Sequence, residues 1–199
     1  VVKKDAELIV NVSDKVTFQN SSASLGGAIN NAGTMTLTNG VFSGNEANGT
    51  YTPNSQNTSA TYVNGKGGAV YNNGTLTVGG RFENNTAFHG GAIYNINNGT
   101  VTVSDGSTFA GNYANVEGGA IANYGNLNIG NNVTFDNNKA FIKEGDLDVP
   151  SGGGSEMGAA IYSEGTGATR TVTIGDNVKF TNNYSPFGNV YFLNANNVT

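Results

Sequence analysis

The chain has 199 residues, 12% of them charged and 37% hydrophobic, with a formal net charge of -5. That balance is not the high charge and low hydrophobicity of a disordered segment, and 30 glycines beside only 3 prolines exclude collagen and Pro-rich stalks. The 9 Lys and Arg residues form no basic run, so no nucleic-acid partner is expected, and the absence of cysteine rules out disulfides and thiolate metal sites.

Reading along the chain, short strands of alternating character recur between Gly and Asn turns. Leu8-Ile9-Val10 is the first. A signature follows at Phe18/Ser21/Ala23, which is Phe, two residues, a polar residue, one residue, Ala. Gly26-Gly27-Ala28-Ile29 opens a second signature, and Met35-Thr36-Leu37 lies between it and Phe42/Asn45/Ala47. The same triplet of signals repeats from Gly67-Gly68-Ala69-Val70, from Gly90-Gly91-Ala92-Ile93 and from Gly118-Gly119-Ala120-Ile121. Gly158-Ala159-Ala160-Ile161 is a relaxed copy, and Gly188-Asn189-Val190-Tyr191 a degenerate one. The Phe signature accompanies them at Phe82/Asn85/Ala87, Phe109/Asn112/Ala114, Phe135/Asn138/Ala140 and Phe180/Asn183/Ser185. The shortest full unit, Gly67 to His89, has 23 residues and no apolar stripe of helical period.

A unit of this size cannot bury its own apolar face, but stacked units can. The expected fold is therefore all-β: a parallel β-helix with three short strands per coil, about six coils, and a rise of about 4.8 Å per coil. Residues 1–199 are read as a single domain. The isoleucine and phenylalanine positions should form internal ladders, with the Ala before each Ile outside or squeezed at a tight bend. Asparagine makes two further columns. One is Asn31, Asn72, Asn95 and Asn123, with Ser163 in the fifth copy; the other is Asn45, Asn85, Asn112, Asn138 and Asn183. Stacked amides can bond one another along such an axis.

The link between the Phe signature and the next Gly pair is usually two or three residues long. It swells to residues 48–66 and again to residues 141–157, at the same corner of the coil. Excursions of this kind often mark a binding face in solenoids. The first offers Tyr51 and Tyr62 as contact residues; in the second, Glu144, Asp146 and Asp148 are a weak calcium candidate whose spacing is not that of a calcium loop. The residue after each inward Ile is Asn30, Tyr71, Tyr94, Ala122 and Tyr162, with Tyr191 after Val190. Alternation places this column outside, where Tyr71, Tyr94, Tyr162 and Tyr191 would either bind a ligand or stabilise the sheet.

Catalytic chemistry finds little support. His89 is the single histidine, and no serine, cysteine or acid is placed by sequence to partner it. Asp14, Asp105 and Asp176 recur at turns in coils that are not neighbours. No catalytic residue, no resident metal and no cofactor is expected.

The alternating GGA(I/L/V) and FxxN motifs resemble the repeats of chlamydial polymorphic outer-membrane proteins. GGAI stands at Gly26 to Ile29, Gly90 to Ile93 and Gly118 to Ile121, GGAV at Gly67 to Val70, and FxxN at Phe42, Phe82, Phe109, Phe135 and Phe180. The resemblance covers nearly the whole chain. It implies a right-handed β-helix, the passenger of an autotransporter-like adhesin at the bacterial cell surface, contacting a host or surface glycan or protein. Neighbouring coils of a longer parent chain are then expected partners, and no direct membrane insertion of this segment. The chain departs from the pattern in having neither a barrel signature nor the cysteines common in the chlamydial proteins. A structural spacer and a carbohydrate-active β-helix enzyme or phage tailspike are the alternatives.

Overall fold

A computed structural model describes residues 1–10, 14–53, 60–141, 157–164, 170–188, 190–193 and 197–198. Among them every regular element is a strand, and the strands assemble into three parallel sheets and one antiparallel hairpin. The parallel β-helix expected from the repeat is the observed architecture.

The first sheet stacks Ile29–Asn31, Val70–Asn72, Ile93–Asn95, Ile121–Asn123, Ile161–Glu164 and Val190–Leu193 in chain order. The second sheet is bent and has two arms. One arm carries the Leu/Val segments and the other the Phe segments; Thr34–Ser43 and Thr75–Glu83 run through both. In later coils a turn splits the arms, as between Thr100–Val103 and Thr108–Ala110. The third sheet stacks short strands around Ala23, Ala47, Ala87, Ala114 and Ala140.

Register is what makes the core. Ile29, Val70, Ile93, Ile121 and Ile161 are direct partners across coils, and all are buried. So are Phe42, Phe82, Phe109 and Phe135, each with no exposed surface. Their rings, with Phe18 and Phe180 at the ends, stack at centroid spacings of 4.5 to 5.1 Å and interplanar angles of at most 10°. That spacing is the coil rise itself. Each such contact adds about 0.5–1.5 kcal/mol to what burial alone gives.

The Gly pair solves two different problems. The first glycine takes a left-handed conformation, with φ of +64° at Gly90. The second is there for close approach: a Cβ on Gly91 would lie 2.2 Å from the carbonyl oxygen of Gly119 in the next coil. The Ala before each Ile is not outside. Ala69, Ala92, Ala120 and Ala160 are wholly buried and belong to the core, because the bend turns them inward with the Ile. The Ala92 carbonyl accepts from both Ala69 and Val70 N–H groups at 2.9 Å, which fixes that bend to the coil beside it.

Both asparagine columns are hydrogen-bonded from coil to coil. Asn31 Nδ2 donates to Asn72 Oδ1 at 2.7 Å, Asn72 to Asn95 at 2.8 Å, Asn95 to Asn123 at 2.7 Å and Asn123 to Ser163 Oγ at 2.9 Å. Asn45, Asn85, Asn112, Asn138 and Asn183 are linked likewise, at 2.9 to 3.0 Å. In this second column each amide also donates to a Phe carbonyl, as Asn112 does to Phe82 at 2.9 Å. Each Oδ1 from Asn85 to Asn183 further accepts a backbone N–H of the preceding coil. Among the described residues, no buried side-chain polar atom lacks a partner, as a low-dielectric interior requires.

Candidate functional site

The corner between the third and first sheets departs from this uniformity. The residues directly before each Gly pair are Leu25, Lys66, His89, Glu117 and Met157, and each bridges the next across coils. Lys66 and Met157 end the two insertions. His89 and Glu117 therefore lie on the rungs between the feet of the two excursions.

The histidine does have an acidic partner. His89 Nδ1 lies 3.0 Å from Glu117 Oε1, with the ring N–H donating to a carboxylate that is 8% exposed. The same oxygen accepts the Tyr124 hydroxyl. The separation of 28 residues hid this pair in the sequence; aligning the chain on its Gly pairs puts His89 and Glu117 one rung apart.

The tyrosine column lies beside this pair and is not an open face. Tyr71 is partly exposed, while Tyr94 is 8% and Tyr162 5% exposed. Alternation does point them away from the core, but neighbouring side chains lie over them. Lys66 Nζ sits 5.1 Å above the Tyr94 ring, and His89 meets that ring edge-on at 6.2 Å. Ala122 does not interrupt the row either. Tyr124 lies between Tyr94 and Tyr162 at 5.4 and 5.9 Å, and Tyr71 stacks on Tyr94 at 5.8 Å. The Tyr162 hydroxyl donates to Glu164 at 2.8 Å. Tyr191 pairs with Tyr162 in register.

Electrostatics follow from this packing. Burial raises the phenol of Tyr71 above its ordinary value. Burial, then the Glu117 carboxylate, raise Tyr94 and Tyr124 much further. Both hydroxyls stay protonated, and so stay donors, well into alkaline conditions.

The first insertion leaves the coil as a hairpin, Gly49–Pro53 against Ala60–Asn64, with Tyr51 opposite Tyr62. It is the only antiparallel pairing among the described residues. Its base is clamped on Phe88: a Cβ on Gly49 or Gly65 would lie 2.6 or 2.8 Å from that ring. Val63, near the base, is 48% exposed. Glu144, Asp146 and Asp148 lie outside the described residues.

Of the recurring turn acids, two take part in coil-to-coil bonding. Asp105 Oδ1 accepts the Asn131 N–H at 2.8 Å, and Asn131 Oδ1 accepts the Asp176 N–H at 2.8 Å. A third acid does the same work without having been singled out: Asp136 accepts from Thr181 and Asn182, which hold its carboxyl below the usual range.

A family model for the Chlamydia polymorphic membrane protein repeat matches residues 132–164. Over that segment the chain carries a repeat of the chlamydial polymorphic membrane protein type. The matched segment contains Phe135/Asn138/Ala140 and Gly158 to Ile161, the two signatures that recur through the other coils. No curated protein and no solved structure matches the chain. The repeat type is consistent with a place at the cell surface. Among the described residues no helix is long and apolar enough to cross a membrane.

Proposed function

We propose that this chain is a non-catalytic passenger segment of a bacterial surface adhesin. The coils act as a stiff rod, and the excursions at one corner contact a host or surface glycan or protein. The observation that carries this reading is the contrast at residue 49. The coil strands pair in parallel with those of the coils beside them, whereas the hairpin at 49–64 leaves that lattice and stands on a clamped glycine base. A projecting hairpin on a rigid support is a common way to present contact residues. Burial of Tyr94 and Tyr162 shifts the expected contact from the tyrosine row to the excursions.

The test is binding of the purified protein to a broad glycan array and to intact epithelial cells. A variant with residues 50–63 replaced by a short Asn-Gly turn is run beside it. Saturable binding that disappears with the hairpin supports the adhesin reading. No binding by folded wild-type protein favours a structural spacer, with recognition elsewhere in the parent chain.

A further inference from the structure

The outer face of the Leu/Val arm of the second sheet carries a feature that the adhesin reading leaves unused. The first strand of this arm, Glu7–Val10, sets Glu7 beside Thr34 and a largely exposed Ile9 beside Thr36. Each of the next five strands has the pattern polar, apolar, polar, with the apolar residue inside. Thr34 and Thr36 flank Met35, Thr75 and Thr77 flank Leu76, and Thr100 and Thr102 flank Val101. The next strand substitutes Asn126 and Asn128, and the one after returns to Thr171 and Thr173. The six threonines are direct partners across three strands, Thr34 with Thr75 with Thr100 and Thr36 with Thr77 with Thr102. None of the ten positions is charged or aromatic, and all are at least partly exposed. Among the described residues no hydrogen bond engages the hydroxyls of those six threonines.

The result is a two-dimensional grid of hydroxyls on a rigid sheet. Its repeat is about 4.8 Å between coils and about 6.6 Å along a strand. Threonine is stiff at χ1, so its hydroxyl and methyl are oriented before any partner arrives. Charge meets this grid only at its edge, where Glu7 pairs with Thr34. The grid itself has no electrostatic claim on an ionic partner, and without aromatic rings it offers no platform for stacking sugars. What it does match is a plane of tetrahedrally bonded water. With O–H···O of about 2.75 Å, tetrahedral geometry repeats at about 4.5 Å within a layer and about 7.3 Å across layers. The protein grid agrees to about 0.3 Å along the axis and about 0.7 Å across it.

We propose that this threonine face binds ice. The hydroxyls join the water lattice and the methyls fill the spaces between its oxygens, so that a growing crystal is held where the face lands. This inference rests on the sheet face alone and stands apart from the hairpin.

The experiment is ice recrystallisation and single-crystal growth in undercooled solution, with the whole chain. Wild-type protein is expected to stop grain coarsening and to facet crystals. The double variant Thr77→Tyr/Thr102→Tyr should lose both effects with an unchanged far-UV spectrum. Thr77→Lys, a milder change to the strand, is the second variant should the double one misfold, and it too should lose them. Arg81→Ala, on the other arm, should behave as wild type. Folded wild-type protein that leaves ice growth as an equal mass of albumin does overturns the proposal. So does a folded Thr77→Lys variant as active as wild type.

Discussion

Two columns run the length of this molecule and obey opposite rules. The Phe/Asn column repeats nearly the same residues in every coil, with rings and amides bonded to the equivalent residue above and below. The column before the Gly pairs changes at each rung, from Leu25 to Lys66, His89, Glu117 and Met157, yet its chain stays in register. In the first, identity is required because each residue's partner is its own copy. In the second, the backbone supplies the register, and the side chains are free to form individual pairs such as His89 with Glu117.

The sharpest way to break the contrast is to cut the uniform column at its middle. Phe109→Ala removes a fully buried ring stacked on both faces, and it should cost about 3–5 kcal/mol in urea unfolding. Phe18→Ala, with one stacking partner and partial exposure, should cost clearly less. Equal losses at the two sites would mean that stacking does not accumulate along the column.

Asn112→Ala comes next. It leaves the Phe82 carbonyl without its amide donor and the Asn85 N–H groups without their Oδ1 acceptor, all buried. A loss of about 2–4 kcal/mol is expected from the same unfolding curves. Asn112→Asp tests the amide itself, since a carboxylate cannot donate to Phe82; it should be no better tolerated.

The varied column should respond more mildly. Glu117→Ala leaves the Tyr124 hydroxyl and His89 without their shared acceptor and should cost about 1–3 kcal/mol. Glu117→Gln keeps an acceptor there and should recover most of that loss. If Glu117→Gln is as harmful as the alanine, the pair depends on charge rather than on hydrogen bonding.

The smallest effect is the alkaline one. Tyr94 and Tyr124 have folded-state pKa values raised above the ordinary 10.0. The unfolded chain therefore gives up these protons first as pH rises. Their contribution to stability is fully present below pH 10 and declines above it. Melting followed across that window should show the decline, and Tyr124→Phe should reduce it. Tyrosinate absorbance should show these two phenols ionising only after the more accessible tyrosines.

Most of the architecture was legible because a solenoid writes its contacts as repetition. A residue that must meet its own equivalent appears again at each coil, so the Ile, Phe and Asn columns could be read directly. The hairpin excursion was legible for the same reason, as a break in a constant spacing; residues 142–156 of the second lie outside the described residues. Three features were not. The alanines before each Ile were expected outside or in a bend, and only the path of that bend shows them buried. Tyr124 fills the gap at Ala122 from two residues further along the chain, which strict alternation does not foresee. The His89–Glu117 pair joins unlike residues, so no repeated identity announced it.

By itself the sequence determined the parallel stack, its register and its internal ladders, because each apolar segment is too short to be buried except by its own copy. Tertiary structure decided which outward residues are truly outward. The tyrosine row is covered by Lys66, His89 and Tyr124, while the threonine face of the second sheet remains open to solvent. Exposure depends on what folds over a strand from the corners, and period-two alternation carries no information about that.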